Sequence, residues 1–232
     1  MIVVRNLVKS YRANSVLRGL SITAPAGAVT LLIGSNGAGK TTTLRILAGL
    51  TRPDSGDVTI GGIDVVSDRC GGQGQTSFLP QGVAFHPRLT CRQVLRFYAR
   101  LRGCSKDRAE AMLVGMGLEA EARKSCGALS GGLRQRLGIA VLLLPDVPVL
   151  LLDEPGLSLD PEWRERLQAM LQAEAARGKC VLVTTHLLAE WDGVADRCLL
   201  CREGRVLGEL DPASLRESFD CGEHPAQREV PV

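Results

Sequence analysis

The sequence predicts an α/β chain built on a parallel sheet covered on both faces, with a smaller antiparallel β subdomain at its N-terminus. Three observations carry that prediction. Residues 29–33, 149–152 and 180–184 are short continuous apolar runs, as expected of strands buried on both sides. Stretches of helical period lie between them, and strands alternating with helices pack as a parallel sheet. The N-terminal region instead carries short strand patterns separated by turn residues.

In order, residues 2–4 and 21–23 read as strands of an edge sheet, joined by 58–60 after the turn at Pro53, Asp54, Ser55 and Gly56. The run 29–33 leads into a glycine-rich loop and a helical stretch reaching Leu50. Residues 76–79 are a second candidate core strand. Thr90 and Gln93 have capping-box spacing, followed by Val94, Leu95, Phe97, Tyr98 and Leu101 on one predicted helical face. Another helix covers about 106–116, so that about 87–127 reads as a helical subdomain inserted into the chain. A helix follows Ser130, and Asp160 and Pro161 stand as N-cap and first residue of the next. Gly178 ends that helix before the strand 180–184. The segment around Cys198 and Cys201 reads as strand, turn at Glu203 and Gly204, and strand. Residues 221–232 are polar and expected to form a flexible tail, leaving a single domain over 1–220.

Composition narrows the function. The chain has 232 residues, 45% apolar and 23% charged, which is globular composition. A net charge of +3 with no long basic run, and only 3% aromatic residues, argues against sequence-reading of nucleic acid. No apolar stretch approaches the roughly 20 residues of a membrane span, and the most hydrophobic region is broken by Pro145, Asp146 and Pro148. The N-terminus lacks the order of a secretory signal, so a cytoplasmic location is expected. The eight cysteines are scattered. Only Cys198 and Cys201 have metal-like spacing, and three apart on a strand they point to opposite faces. Buried small hydrophobes are the expected reading.

Gly34, Ser35, Asn36, Gly37, Ala38, Gly39, Lys40 and Thr41 fit the G-x-x-x-x-G-K-Ser/Thr phosphate loop at every required position. Glycines let the backbone turn successive N–H groups toward phosphates, and the following helix adds its positive end. Lys40 is placed to reach the β- and γ-phosphates and the Thr41 hydroxyl to ligate Mg2+. The run 149–152 then delivers Asp153 and Glu154 at the C-terminal end of a central strand, where open α/β sheets bind ligands. Asp153 is expected to hold Mg2+ through water, and Glu154 to polarise a water for attack on the γ-phosphate. Together these predict a P-loop NTPase.

Leu129, Ser130, Gly131, Gly132, Leu133, Arg134, Gln135 and Arg136 add a second anion-binding helix start shortly before the acidic strand. With it the chain resembles the ATP-binding cassette (ABC) ATPases over nearly its whole length. The resemblance implies a RecA-like core and a head-to-tail dimer, a homodimer, in which Ser130, Gly131 and Gly132 of one subunit close on ATP held by the other. It implies that Tyr11 stacks on adenine and that Thr42 joins the phosphate loop in binding ATP. Gln81 then senses Mg2+ and the attacking water, His186 contacts the γ-phosphate and orients the base, and Asp160 belongs to the inter-subunit loop. Three positions depart from the family pattern: Gly156 and Ser158, where Thr and Gly are common, and Leu133, often Gln or Met.

The implied function is the ATPase subunit that powers a separate integral membrane transporter subunit from the cytoplasmic face. The membrane contact is placed among Val83, Phe85, His86, Leu89 and Tyr98, where the family docks a helix of the membrane subunit. The alternative is a soluble ABC ATPase of DNA repair or translation, whose usual paired cassettes, long coiled-coil inserts and zinc cysteines are not seen here. A small-molecule kinase leaves Ser130 and His186 unexplained. Among transporters the chain resembles bacterial two-component exporters of the ABC-2 type. More weakly it resembles the copper-processing ATPases of nitrous oxide reductase maturation, and the cytochrome c maturation and drug-export branches.

Overall fold

The computed structural model describes residues 1–186 and 188–212. The expected tail at 221–232 and domain end at residue 220 lie outside the described residues, as does Cys221. The chain opens with β1 (Ile2–Tyr11), β2 (Asn14–Ala24), β3 (Ala28–Ile33), α1 (Lys40–Leu47), β4 (Ser55–Ile60) and β5 (Ile63–Asp64). It continues through α2 (Arg69–Gly74), β6 (Thr76–Leu79), α3 (Cys91–Leu101), α4 (Lys106–Gly115) and α5 (Gly131–Leu143). It closes with β7 (Val149–Asp153), α6 (Pro161–Ala176), β8 (Cys180–Thr185), β9 (Arg197–Arg202) and β10 (Arg205–Leu210).

The strands form two sheets. One is antiparallel in the order β2-β1-β4-β5; the other runs β10-β9-β3-β8-β7-β6 and is parallel except for β10. Alternation along the central strands explains why they read as unbroken apolar runs. Val29, Leu31 and Ile33 of β3, Leu150 and Leu152 of β7, and Val181 and Val183 of β8 face a core shared with α3 to α6. Leu32, Val149, Leu151 and Leu182 face the opposite core, closed by α1 and the antiparallel sheet. Each face therefore has its own cover. Among the described residues β6 pairs with β7 alone and is an edge strand of the sheet, although its face is covered.

The antiparallel hairpin is longer than expected, pairing out to Tyr11 and Asn14. Asp54 holds it: Lys9 Nζ meets Asp54 Oδ1 at 2.6 Å, and the Ser10 N–H donates to Oδ2 at 2.6 Å. In α3 the capping box forms in both directions, with Thr90 Oγ1 accepting from Gln93 N–H and Gln93 Oε1 accepting from Thr90 N–H. The predicted single apolar face is corrected, however. α3 buries Cys91, Val94, Leu95 and Ala99, while Phe97 and Leu101 are 52% and 66% exposed. An eleven-residue helix packed against α4 and α5 presents only one stripe to them, and Phe97 and Leu101 flank that stripe.

Cys198 faces the first core and Cys201 the second, so the two thiols diverge. Burial pushes Cys198 up to about 12 and Cys201 up to about 11, keeping both protonated at neutral pH. No helix among the described residues is long and apolar enough to cross a membrane.

Candidate nucleotide site

Two close backbone approaches shape the loop between β3 and α1. A Cβ on Gly34 would overlap the Cys201 carbonyl oxygen, and one on Gly39, at φ 101°, would lie 2.6 Å from Leu17 Cδ2. Only glycine lets the chain pass there. Gly34→Ala should therefore cost about 2 kcal/mol, a fall in Tm of about 4–8 °C at this chain size. Thermal denaturation checks it, and an unchanged Tm would mean that β9 yields at no cost.

Gly39 ends the loop and α1 begins at Lys40. Lys40 is 7% exposed, and its ammonium donates to the carbonyls of Gly34 at 2.6 Å and Ser35 at 3.2 Å. It is thus folded over the loop that its own helix closes. Thr41 Oγ1 donates to Asp153 Oδ1 at 3.2 Å, and Thr184 Oγ1 donates to the same oxygen at 2.6 Å. Asp153 ends β7 and is 1% exposed, so two hydroxyls compensate a carboxylate removed from water. A hydroxyl and a carboxylate on neighbouring elements are hard oxygen donors, the set that suits Mg2+.

Glu154 follows at φ 49°, its N–H donating to the Thr184 carbonyl at 3.0 Å. That left-handed turn, costing of order 1 kcal/mol for a residue with a side chain, swings the carboxylate out of the strand direction. Glu154 Oε2 then lies 2.9 Å from His186 Nδ1. Asn36, Gly37, Ala38, Gly39, Lys40, Thr41 and Thr42 line one cleft of about 280 Å³ with Asn14, Val16, Gln81, Glu154 and His186. The structure thus brings the phosphate loop, Gln81, Glu154 and His186 into one space.

Other expected positions stand elsewhere. Gly34 and Ser35 sit behind the cleft as acceptors for Lys40. Tyr11 is 44% exposed and outside the cleft lining, with the Lys9 ammonium 5.5 Å over its ring. It pairs across the hairpin with Asn14, which does line the cleft. Ser130, Gly131, Gly132 and Asp160 form a second surface. Ser130 N-caps α5 and accepts from Leu133 N–H at 3.3 Å, and Asp160 N-caps α6 and accepts from Trp163 N–H at 2.9 Å. Gly131 and Gly132 both back onto Ser158 of the loop before Asp160.

Three contributors escaped the sequence reading: Asn14 and Val16, which line the cleft, and Thr184, which holds Asp153 and the Glu154 N–H. Polar residues at the end of an otherwise apolar β8 were the available signal for Thr184. Gln135, buried in α5, donates to the Pro155 carbonyl at 2.8 Å and so ties the helix behind Ser130 to the residue after Glu154.

Residues 17–156 match the family model described as ABC transporter. The chain belongs to the ABC transporter family. A second model, described as "AAA domain, putative AbiEii toxin, Type IV TA system", matches residues 127–190. The cassette is 39% identical over 218 residues to Nod factor export ATP-binding protein I of Burkholderia lata, covering 92% of this chain and 72% of that one. It is 36% identical over 217 residues to the daunorubicin/doxorubicin resistance ATP-binding protein DrrA of Streptomyces peucetius, covering 92% and 66%. Among solved structures it is similar to an ATP-binding subunit of an ABC transporter, at TM-score 0.85 and 28% identity, with 95% and 93% covered. It is also similar to a dimeric bacterial ABC transporter cassette, at TM-score 0.84 and 25% identity, with 91% and 99% covered. The cassette is an ATP-binding, ATP-hydrolysing subunit. One departure from the family pattern now has a physical cost: Ser158 stands at φ 87°, a conformation that glycine adopts more cheaply.

Proposed function

We propose that two copies of this cassette close head to tail on two ATP molecules and that the cycle drives a separate membrane subunit for export. The observation that carries the reading is the separation of two half-sites within one chain. The cleft holds the phosphate loop, Glu154 and His186, whereas Ser130, Gly131, Gly132 and Asp160 stand outside it. A second copy placing its Ser130 hydroxyl and the N–H groups at the start of α5 over the first copy's cleft completes each site. The dimeric form of a similar cassette supports this arrangement.

Within each site Lys40 and the N-terminus of α1 draw off negative charge from the β- and γ-phosphates. Thr41 and Gln81, with Asp153 through water, would hold Mg2+, which supplies further charge neutralisation on those oxygens. Glu154 accepts a proton from the water whose oxygen bonds to the γ-phosphorus as the bond to the bridging oxygen of ADP breaks. His186 fixes the Glu154 carboxylate and turns toward the γ-phosphate. Tyr11 closes over the adenine from the rim of the hairpin.

Ser130→Arg places a long cation in the seam. ATP binding to one chain should stay within about twofold, while dimerisation and turnover disappear. Nucleotide titration beside a steady-state ATPase assay checks this, and wild-type turnover would sink the shared-site reading.

The membrane subunit is assigned to the exposed edge of α3. Phe97 and Leu101 stand out from it, and Tyr98 meets Phe97 edge-on at 5.3 Å and Phe85 at 6.4 Å. Val83, Phe85, Leu89 and Tyr98 are all partly buried against the core, so the exposed Phe97 and Leu101 lead the contact, with the outer edges of those four and His86 around them. Export is supported by the names of the Nod factor and daunorubicin relatives. In the native host, a tagged Glu154→Gln chain purified from MgATP-solubilised membranes should carry a stoichiometric multi-span protein. Adding Phe97→Ser and Leu101→Ser should lower that recovery at least about fivefold with the ATP affinity of the purified chain unchanged. Recovery of soluble partners alone would refute the transport reading.

A further inference from the structure

Arg164 lies in the first turn of α6 and takes no part in the nucleotide cleft. Its Nε donates to the Leu159 carbonyl at 3.0 Å, and its Nη1 pairs with the Glu190 carboxylate. Leu159 belongs to the loop that runs from Glu154 to Asp160 and packs on Gly131 and Gly132 through Ser158. Glu190 belongs to the short 3-10 turn Leu188–Trp191, four residues beyond His186. The same turn is held from a second side, because Gln168 Nε2 donates to the Glu190 carbonyl at 2.5 Å. Trp191, 2% exposed, anchors its far end in the core. The Glu190 carboxylate also covers Gly156, where a Cβ would sit 3.5 Å from it.

One guanidinium therefore joins the loop that faces the Ser130 surface to the segment that carries His186. A salt bridge between exposed side chains contributes little. Arg164 and Glu190 are only 32% and 25% exposed, and the planar fork reaches a backbone carbonyl and a carboxylate at once. Such a fork fixes the distance between two segments, which an ammonium on a flexible stem does not.

We propose that Arg164 is a positioning residue: it passes the placement of loop 156–160, as set by the second cassette, through Glu190 to His186. His186 already meets Glu154 at 2.9 Å in the single chain, and the latch holds that contact in register when the second cassette presses on the loop. The proposal rests on the assignment of Glu154 and His186 above and adds the element that links their contact to the dimer seam. Asp160 and Arg164 share the first turn of α6, so a shift of the loop moves both together.

The test uses the full chain, comparing Arg164→Ala, Glu190→Ala, their double variant, Arg164→Lys and His186→Ala. Each single change at Arg164 or Glu190 should lower kcat about 10–100-fold with KM for ATP within about twofold, the mark of lost positioning rather than lost binding. The double variant should be no slower than either single, since the pair acts as one unit. Arg164→Lys should recover less than half of the lost rate, because it keeps the charge without the fork. Tm should move too little to explain the rate, and Glu190→Gln gives the same reading if Arg164→Ala does not fold. Wild-type kcat in these variants, multiplied effects in the double variant, or a kcat loss matched by unfolding at the assay temperature overturns the latch. His186→Ala separates the two levels. If it abolishes turnover while Arg164→Ala keeps the wild-type kcat, the latch alone fails; if it leaves turnover intact, the site reading fails and takes the latch with it.

Discussion

Glu154→Gln should lower steady-state ATP turnover by about 10²–10⁴-fold, the usual contribution of a positioned general base, with ATP affinity held within about threefold. The geometry separates chemistry from folding here. Glu154 takes its left-handed φ of 49° through its N–H bond to the Thr184 carbonyl, which the amide variant keeps. The glutamine still fills the same volume and still accepts from His186 Nδ1, now 2.9 Å from the carboxylate. What disappears is the ability to take a proton from the attacking water. Parallel measurement of kcat and of nucleotide affinity reads the difference. Turnover near wild type would move the base to another group.

Lys40→Ala should do the reverse, striking binding and turnover together. Lys40 is 7% exposed and its ammonium is bonded to two loop carbonyls, so its loss removes a charge from the cleft and leaves the Gly34 and Ser35 carbonyls without their donor. At about 1.5–3 kcal/mol for a charged hydrogen-bond donor, ATP affinity should fall about 10–100-fold, with turnover below detection. Lys40→Arg should not restore it, because the branched guanidinium exceeds the space beneath a loop closed by Leu17 and the Cys201 carbonyl. Calorimetric titration of ATP into both variants measures the loss, and unchanged affinity would remove Lys40 from the phosphate site.

What was legible in the sequence follows from how local each requirement is. The phosphate loop, the acidic pair after residues 149–152 and the Asp160-Pro161 helix start are each dictated by neighbours in the chain, and the structure presents each as a contiguous piece. Alternation also separated Cys198 from Cys201 without any tertiary information. What failed depended on distant partners. α2 is written Arg-Cys-Gly-Gly-Gln-Gly, glycine-rich and poor in propensity; it persists because Asp68 caps it at 2.8 Å and Gly72 lets it approach Val65. Phe97 and Leu101 share the spacing of buried residues, and only the position of α4 and α5 leaves them outside. Thr184 looks like any polar strand end until Asp153 arrives beside it from β7. The role of Arg164 needs three segments that meet only in the folded chain.

The central claim is that one chain carries two halves of a site which only a second copy completes. The most direct test is the mass of the Glu154→Gln chain in solution, by light scattering after gel filtration, with and without MgATP. The account predicts a monomer without nucleotide and a dimer retaining two ATP with it, reverting to monomer when Ser130→Arg is added. A monomer that retains one ATP under both conditions would contradict it.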